Sequence, residues 1–191
     1  MREKVEAELK LLKAQLNPHF LFNTLNNLYY LASEKSDDAP KAILALSEIL
    51  DYVMHAGSRQ QVALRTELDQ VRHFVELEIM RYRDRVTIDI EVTGEIDNYV
   101  VVPMTLITLM ENAFKHGVMP SAQPSWINLQ IAPGASGLAI SVTNSVSGQL
   151  QRRGLGLDNL RHQLDLVLGE RYSLETYSDD RVFSAKLILQ P

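Results

Sequence analysis

Apolar residues recur at helical spacing through residues 1–84 and at alternate positions in much of residues 85–191. Val5, Leu9, Leu12 and Leu16 form one stripe, with Glu and Lys on the other faces, which is the pattern of a coiled-coil lead-in. Leu21, Leu25 and Leu28 form a second stripe, and at about 100° per residue the two point roughly 150° apart. Pro18 stands between them. Either a helix kinks there, or a new helix starts with Asn17 as N-cap and Pro18 in its first turn. A polar turn at 33–40 leads to a third stripe, Ile43, Leu46, Leu50 and Val53. After Gly57 and a polar break come Leu68, Val71, Val75, Ile79 and Tyr82. Thr66 and Asp69 offer that helix a capping-box start, and Arg81, Arg83 and Arg85 suit its negative end.

Beyond Arg85 the period switches to two. Val86, Ile88, Ile90 and Val92 alternate with Thr and acids, the signature of a half-buried strand. Further alternations run through Ile127, Leu129 and Ile131, through Leu138, Ile140 and Val142, and through Tyr172, Leu174 and Thr176, and a last one spans 183–189. Helices are expected at 103–116 and 157–168. The pattern predicts an α+β chain in two parts: a helical domain at 1–84, and a mostly antiparallel sheet with helices on one face at 85–191.

Composition narrows the chemistry. With 19 Lys and Arg against 24 Asp and Glu, the net charge is -5, and no local run makes a basic stripe that would track a nucleic-acid backbone. The chain has no cysteine, so thiol catalysis, disulfides and Cys-based zinc sites are excluded. Its 5 histidines never pair at i,i+3 or i,i+4, and HExxH does not occur, which argues against a metal hydrolase. The longest apolar stretch, 99–110, is well short of the roughly 20 residues that span a bilayer. The charged start has no apolar run behind it and does not read as a signal peptide.

Three segments carry candidate chemistry. In Leu16-Asn17-Pro18-His19-Phe20-Leu21-Phe22-Asn23, helical spacing puts His19, Asn23 and Asn26 on one face, with the Leu21 stripe expected to be buried opposite. A histidine beside a carboxamide one turn away can offer a ring nitrogen to an electrophile; a plain helix start explains the same residues. In the run from Glu111 to Gly117, a carboxamide next to a carboxylate can hold a hard cation, and a basic residue one turn on can touch phosphate. An exposed Glu111–Lys115 pair followed by a Gly117 stop explains it equally. In Gly154-Leu155-Gly156-Leu157, glycines leading into a helix leave backbone N–H groups able to cradle phosphate. The polar stretch before it, with Gly148, would make a mobile lid.

In this order, the segments resemble the sensor histidine kinases, specifically the LytS-like branch, whose acceptor segment reads close to LNPHFLFN. The resemblance covers nearly the whole chain. It implies an N-terminal helical hairpin that pairs into a dimeric four-helix bundle, followed by a GHKL (Bergerat) α/β sandwich with a mixed, mostly antiparallel sheet. His19 would accept the γ-phosphoryl group of ATP, and Asn112 would ligate Mg²⁺. Lys115, His116 and Gly117 would lie near the phosphates, and Gly154, Gly156 and Leu157 would close over the nucleotide. The phosphoryl group would then pass to an aspartate of a response regulator, often of the LytTR type, so that contact with DNA is indirect. The chain would be a homodimer and the cytoplasmic part of a membrane-bound sensor, its membrane segment lying upstream.

Two positions depart from the wider family. The residue after the acceptor is Phe20 rather than an acid; the resemblance implies Glu111 as the general base instead, since GHKL relatives use the matching Glu to activate a nucleophile. Asn144 stands where an Asp would accept from the adenine amino group. A neutral acceptor contributes about 0.5–1.5 kcal/mol against about 1.5–3 for a charged one, so weakened nucleotide binding is expected. The rival class is a pseudokinase that serves as a dimeric signalling scaffold.

Overall fold

The structure is a computed structural model that describes residues 18–56, 59–121, 123–135, 137–146 and 155–191, with Pro18, His19 and Leu155 placed by their backbone. The stripe from Val5 to Leu16, the kink-or-start alternative at Pro18 and Gly154 fall outside the described residues, as do residues 147–153 of the lid expected at 144–153, whose first two residues are instead in a strand.

Two helices open the chain, α1 (Pro18–Ser33) and α2 (Ala39–Ala56). Within one chain α1 buries Phe20, Thr24 and Leu31, which share one face by helical spacing. The Thr24 hydroxyl is satisfied inside that face by donating to the Phe20 carbonyl at 2.9 Å. The expected Leu21–Leu25–Leu28 stripe is therefore not the inward one: Leu25 is exposed, while Leu21 and Leu28 are half-buried. Likewise α2 buries Ala42, Leu46, Ile49 and Val53 but leaves Ile43 exposed. Apolar periodicity located the helices but could not tell an inner stripe from one facing away from the chain's own core.

A short strand, β1 (Val62–Ala63), leads directly into α3 (Leu64–Tyr82). The N-cap residue is Ala63, with no side-chain cap, so Thr66 and Asp69 sit inside the helix rather than capping it. α3 ends where Arg83 turns left-handed at φ 50°, its N–H bonding to the Ile79 carbonyl. Arginines on either side of that point hold the corner. Arg81 and Arg85 lie over the Tyr82 ring at 4.8 and 5.7 Å, and Arg85 donates to the Ser121 carbonyl.

A 3-10 turn, Arg83–Arg85, feeds β2 (Val86–Val92), and β3 (Val100–Val101) pairs antiparallel with β1. Helix α4 (Thr105–Ala113) continues as a wider π turn over Phe114–Val118. Next come β4 (Ser125–Gly134), β5 (Gly137–Ser145), α5 (Leu155–Leu168), β6 (Tyr172–Ser178) and β7 (Val182–Leu189). The main sheet has order β2-β4-β5-β7-β6; β2 runs parallel to β4, and the other pairs are antiparallel. The fold is thus α+β with a mixed, mostly antiparallel sheet. One face carries Ile127, Leu129, Ile131, Leu138, Ile140, Val142 and Leu187 into the core, beneath α3, α4 and α5.

The β1–β3 pair and the packing of α3 on α4 and β2 join residues on both sides of the expected 84/85 boundary.

Candidate functional site

The C-terminal half of α4 and the π turn after it carry Glu111, Asn112, Lys115, His116 and Gly117. The start of α4 is anchored from outside. Met104 is left-handed at φ 67°, and the Glu67 carboxylate of α3 accepts the N–H groups of Met104 at 2.6 Å and Leu106 at 2.9 Å. Helix N-termini expose unpaired N–H groups, so a buried acid from the neighbouring helix is a physically sound cap. The Tyr52 hydroxyl of α2 donates to the same carboxylate. Burial pushes the Glu67 carboxyl above its usual range, and these three hydrogen bonds pull the other way.

At its far end α4 faces α1 across a cleft of about 250 Å³. Asn23 comes from α1, Glu78 and Arg81 from α3, and Glu111 and Lys115 from α4 and the π turn, with Phe20, Phe74, Phe114 and Met119 as apolar walls. Three residues singled out from sequence, Asn23, Glu111 and Lys115, therefore meet in one place. His19 lies one helical turn before Asn23 on α1.

The cleft also holds charges that sequence reading passed over. Glu78 is buried, and desolvation leads in pushing its carboxyl up to about 7; Arg81 at 3.8 Å opposes the shift and the Glu111 charge adds to it. Glu67 and Glu78 stand on the buried stripe of α3 with Leu64, Val71, Phe74 and Tyr82. Two acids at core-facing helical positions were the available signal, since a buried acid requires a partner or a raised pKa.

On the other side of α4 lie the remaining candidates. Asn112 is buried, and His116 is half-buried. Gly117 packs so tightly on the end of β5 that a Cβ there would collide with the Asn144 amide and lie 2.6 Å from the Ser145 carbonyl oxygen. Asn144 is fully buried; its Nδ2 donates to that carbonyl at 2.9 Å, and its Oδ1 has no hydrogen-bond partner among the described residues. An orphaned buried acceptor is costly unless a ligand donor meets it, and an adenine amino group is such a donor. Gly156, exposed in the first turn of α5, faces Thr108 of α4, with a Cβ there 4.0 Å from its methyl, and Leu157 is buried beside it. The residues present fit a nucleotide at this face.

The fit to Mg²⁺ is chemical. Among the described residues no group of three or more His, Cys, Asp or Glu is placed to hold an ion by itself. Mg²⁺ prefers oxygen and commonly takes only one or two protein ligands together with substrate phosphates, a role the Asn112 carboxamide oxygen can fill. No described helix is long and apolar enough to cross a membrane.

Comparison with known proteins bears on the family and the fold. The family model described as histidine kinase matches residues 7–86. The sensor histidine kinase YesM of Bacillus subtilis is 31% identical over 182 residues, which cover 91% of this chain and 31% of that protein. The sensor protein LytS of Staphylococcus saprophyticus is 30% identical over 189 residues, covering 91% of this chain and 32% of that one. The chain thus spans about a third of the length of these relatives. The histidine kinase domain of a blue-light-activated histidine kinase from Erythrobacter litoralis has the same fold, at a TM-score of 0.53 and 12% identity, covering 98% of this chain and 95% of that one. With its acceptor-type segment, its Glu-Asn helix and its mixed sheet in that order, the chain belongs to the LytS-like histidine kinase family.

Proposed function

We propose that this chain is the phosphotransfer and ATP-binding part of a two-component sensor histidine kinase, moving the γ-phosphoryl group of ATP to His19 and then to an aspartate of a response regulator. The observation that carries the reading is the cleft in which Asn23 of the acceptor helix lies together with Glu111 and Lys115.

In the first step a ring nitrogen of His19 forms a bond to the γ-phosphorus while the bond to the β–γ bridging oxygen breaks. ADP departs with that electron pair, and Glu111 takes the proton the ring gives up. The Asn23 carboxamide, one turn from His19, orients the imidazole, and Lys115 offsets negative charge on the transferring group. Bound Mg²⁺, held by Asn112 and the phosphates, supplies charge neutralisation. Asn144 accepts from the adenine amino group, and Gly156 with Leu157 closes the phosphate side. In the second step an aspartate oxygen of the regulator, which can be of the LytTR type, displaces the histidine nitrogen from phosphorus. DNA takes no direct part.

Large apolar side chains on the outer faces of the hairpin, among them Phe22, Leu25 and Tyr29 of α1 and Ile43 and Met54 of α2, are exposed in a single chain. They support a homodimer closed by a four-helix bundle, in which a signal from a membrane-anchored segment upstream would change how each hairpin meets its sheet. The β1–β3 pair supports starting the nucleotide-binding unit near Val62, on the cytoplasmic side of such a sensor.

The test is incubation with labelled ATP and Mg²⁺. Wild-type protein takes up acid-labile, alkali-stable label, and His19→Gln takes up none. Label of that kind persisting in His19→Gln overturns the assignment.

A further inference from the structure

The residue after the acceptor histidine does not reach for a proton; it is buried. Phe20 is 6% exposed, and its ring packs on Phe74 of α3 with centroids 5.0 Å apart. Phe74 meets Phe114 edge-on at 5.6 Å, and Phe114 stacks on Tyr82 at 6.1 Å. Three rings thus run from the acceptor helix through α3 to the π turn that follows the Glu111-Asn112 helix, and Tyr82 of α3 closes the row. The first three also wall the cleft that holds Asn23, Glu111 and Lys115.

Successive residues on a helix are about 100° apart, so inserting Phe20 fixes the rotation of α1 about its axis. That rotation sets Asn23, one turn on from His19, in the cleft. We propose that Phe20 is a positioning residue: seated on Phe74, it presents the His19 turn of α1 to Glu111 of its own chain, so that phosphoryl transfer runs within one protomer. The inference rests on the function proposed above and adds which chain serves as acceptor and what aligns it. Phosphoryl transfer depends mostly on positioning, and a misplacement of about 1 Å can cost about a hundredfold in rate.

Two chains distinguishable by size separate the possibilities, one carrying His19→Gln and the other Asn112→Ala. Each is unlabelled alone, and co-assembled they stay unlabelled because neither holds both an acceptor and a working nucleotide site. Label on the Asn112→Ala chain of the mixture overturns transfer within a protomer. Label missing from wild-type protein instead overturns the kinase reading itself, so the two failures are distinct.

The positioning role is read from steady-state kinetics. Phe20→Ala lowers kcat for autophosphorylation at least tenfold while KM for ATP stays within twofold, and Phe20→Leu, which refills the seat on Phe74, restores most of the rate. An unchanged kcat in Phe20→Ala, or a loss confined to KM, overturns it. The mixed-chain experiment leaves Phe20 in place, so it stands even if Phe20→Ala folds poorly.

Discussion

The Glu67 carboxylate accepts the backbone N–H of Leu106 at 2.9 Å, capping α4 from a different helix. Its other oxygen takes the Met104 N–H and the Tyr52 hydroxyl, so one buried acid ties α2, α3 and the start of α4. Replacing it with Gln turns one acceptor oxygen into a donor facing buried donors. Glu67→Gln should destabilise the fold by about 1–3 kcal/mol, and Tyr52→Phe by about 0.5–1.5 kcal/mol. Urea denaturation followed by circular dichroism checks both. A Glu67→Gln midpoint equal to wild type would show that α4 does not depend on this cap.

How legible this arrangement was in the sequence depends on the residue. Period-two alternation found the strands around Ile88, Leu129, Ile140 and Leu187, because each strand buries one face only. The segments around His19, Glu111-Asn112 and Gly156 identified the family through their resemblance to its motifs, above all the acceptor segment LNPHFLFN. What stayed hidden depends on neighbours distant in the chain. Thr66 and Asp69 have the local spacing of a cap, yet β1 pairing starts α3 earlier, at Leu64. Local spacing does not single out Glu78, because it is the packing of α1 and α4 over α3 that buries it beside Arg81.

Gly117 is needed for space. A methyl at its Cα would press on the Asn144 amide and the Ser145 carbonyl, both part of the end of β5. Gly117→Ala should cost about 1–3 kcal/mol of stability through overpacking and weaken nucleotide binding as Asn144 is displaced. Thermal unfolding and calorimetric titration with Mg-ATP measure the two effects. Wild-type values in both would show that β5 yields freely at this point.

Asn144 makes a base-specific prediction. Its amide is oriented by the bond from Nδ2 to the Ser145 carbonyl, which turns Oδ1 into an acceptor with a vacant lone pair. ATP offers that oxygen an amino group, whereas inosine triphosphate offers a carbonyl. One neutral hydrogen bond of about 0.5–1.5 kcal/mol corresponds to a roughly two- to twelve-fold preference for ATP, which Asn144→Ala should abolish. Competition binding with the two nucleotides is the measurement. Equal affinities for wild type would place the base elsewhere.

Glu111 shares the cleft with Asn23 of the acceptor helix. If it takes the imidazole proton, Glu111→Gln lowers autophosphorylation by about 10²–10⁴-fold, the usual scale of general-base catalysis. Nucleotide affinity should change little, which single-turnover kinetics with a parallel binding measurement can establish. A Gln variant running at the wild-type rate assigns the proton to another group.

Glu78 gives the cleft a pH signature. Its carboxyl titrates at about 7 in the fold, against an ordinary value of 4.5, because burial disfavours its charge; Arg81 offsets this and Glu111 reinforces it. A raised folded pKa means that the folded state holds the proton longer than the unfolded chain does. The group's stabilising contribution is therefore complete below about pH 4.5 and is lost as pH rises to about 7, amounting to about 2–3 kcal/mol over that interval. Glu78→Gln keeps a neutral side chain at every pH, so its stability relative to wild type should climb by that amount between pH 4.5 and pH 7. Glu111→Gln removes the like charge and should move the Glu78 titration downward, with Arg81 and Lys115 left as the charges facing it. Urea midpoints of the three proteins across this range decide the matter, and parallel curves for wild type and Glu78→Gln would show that this carboxylate is solvated in the fold.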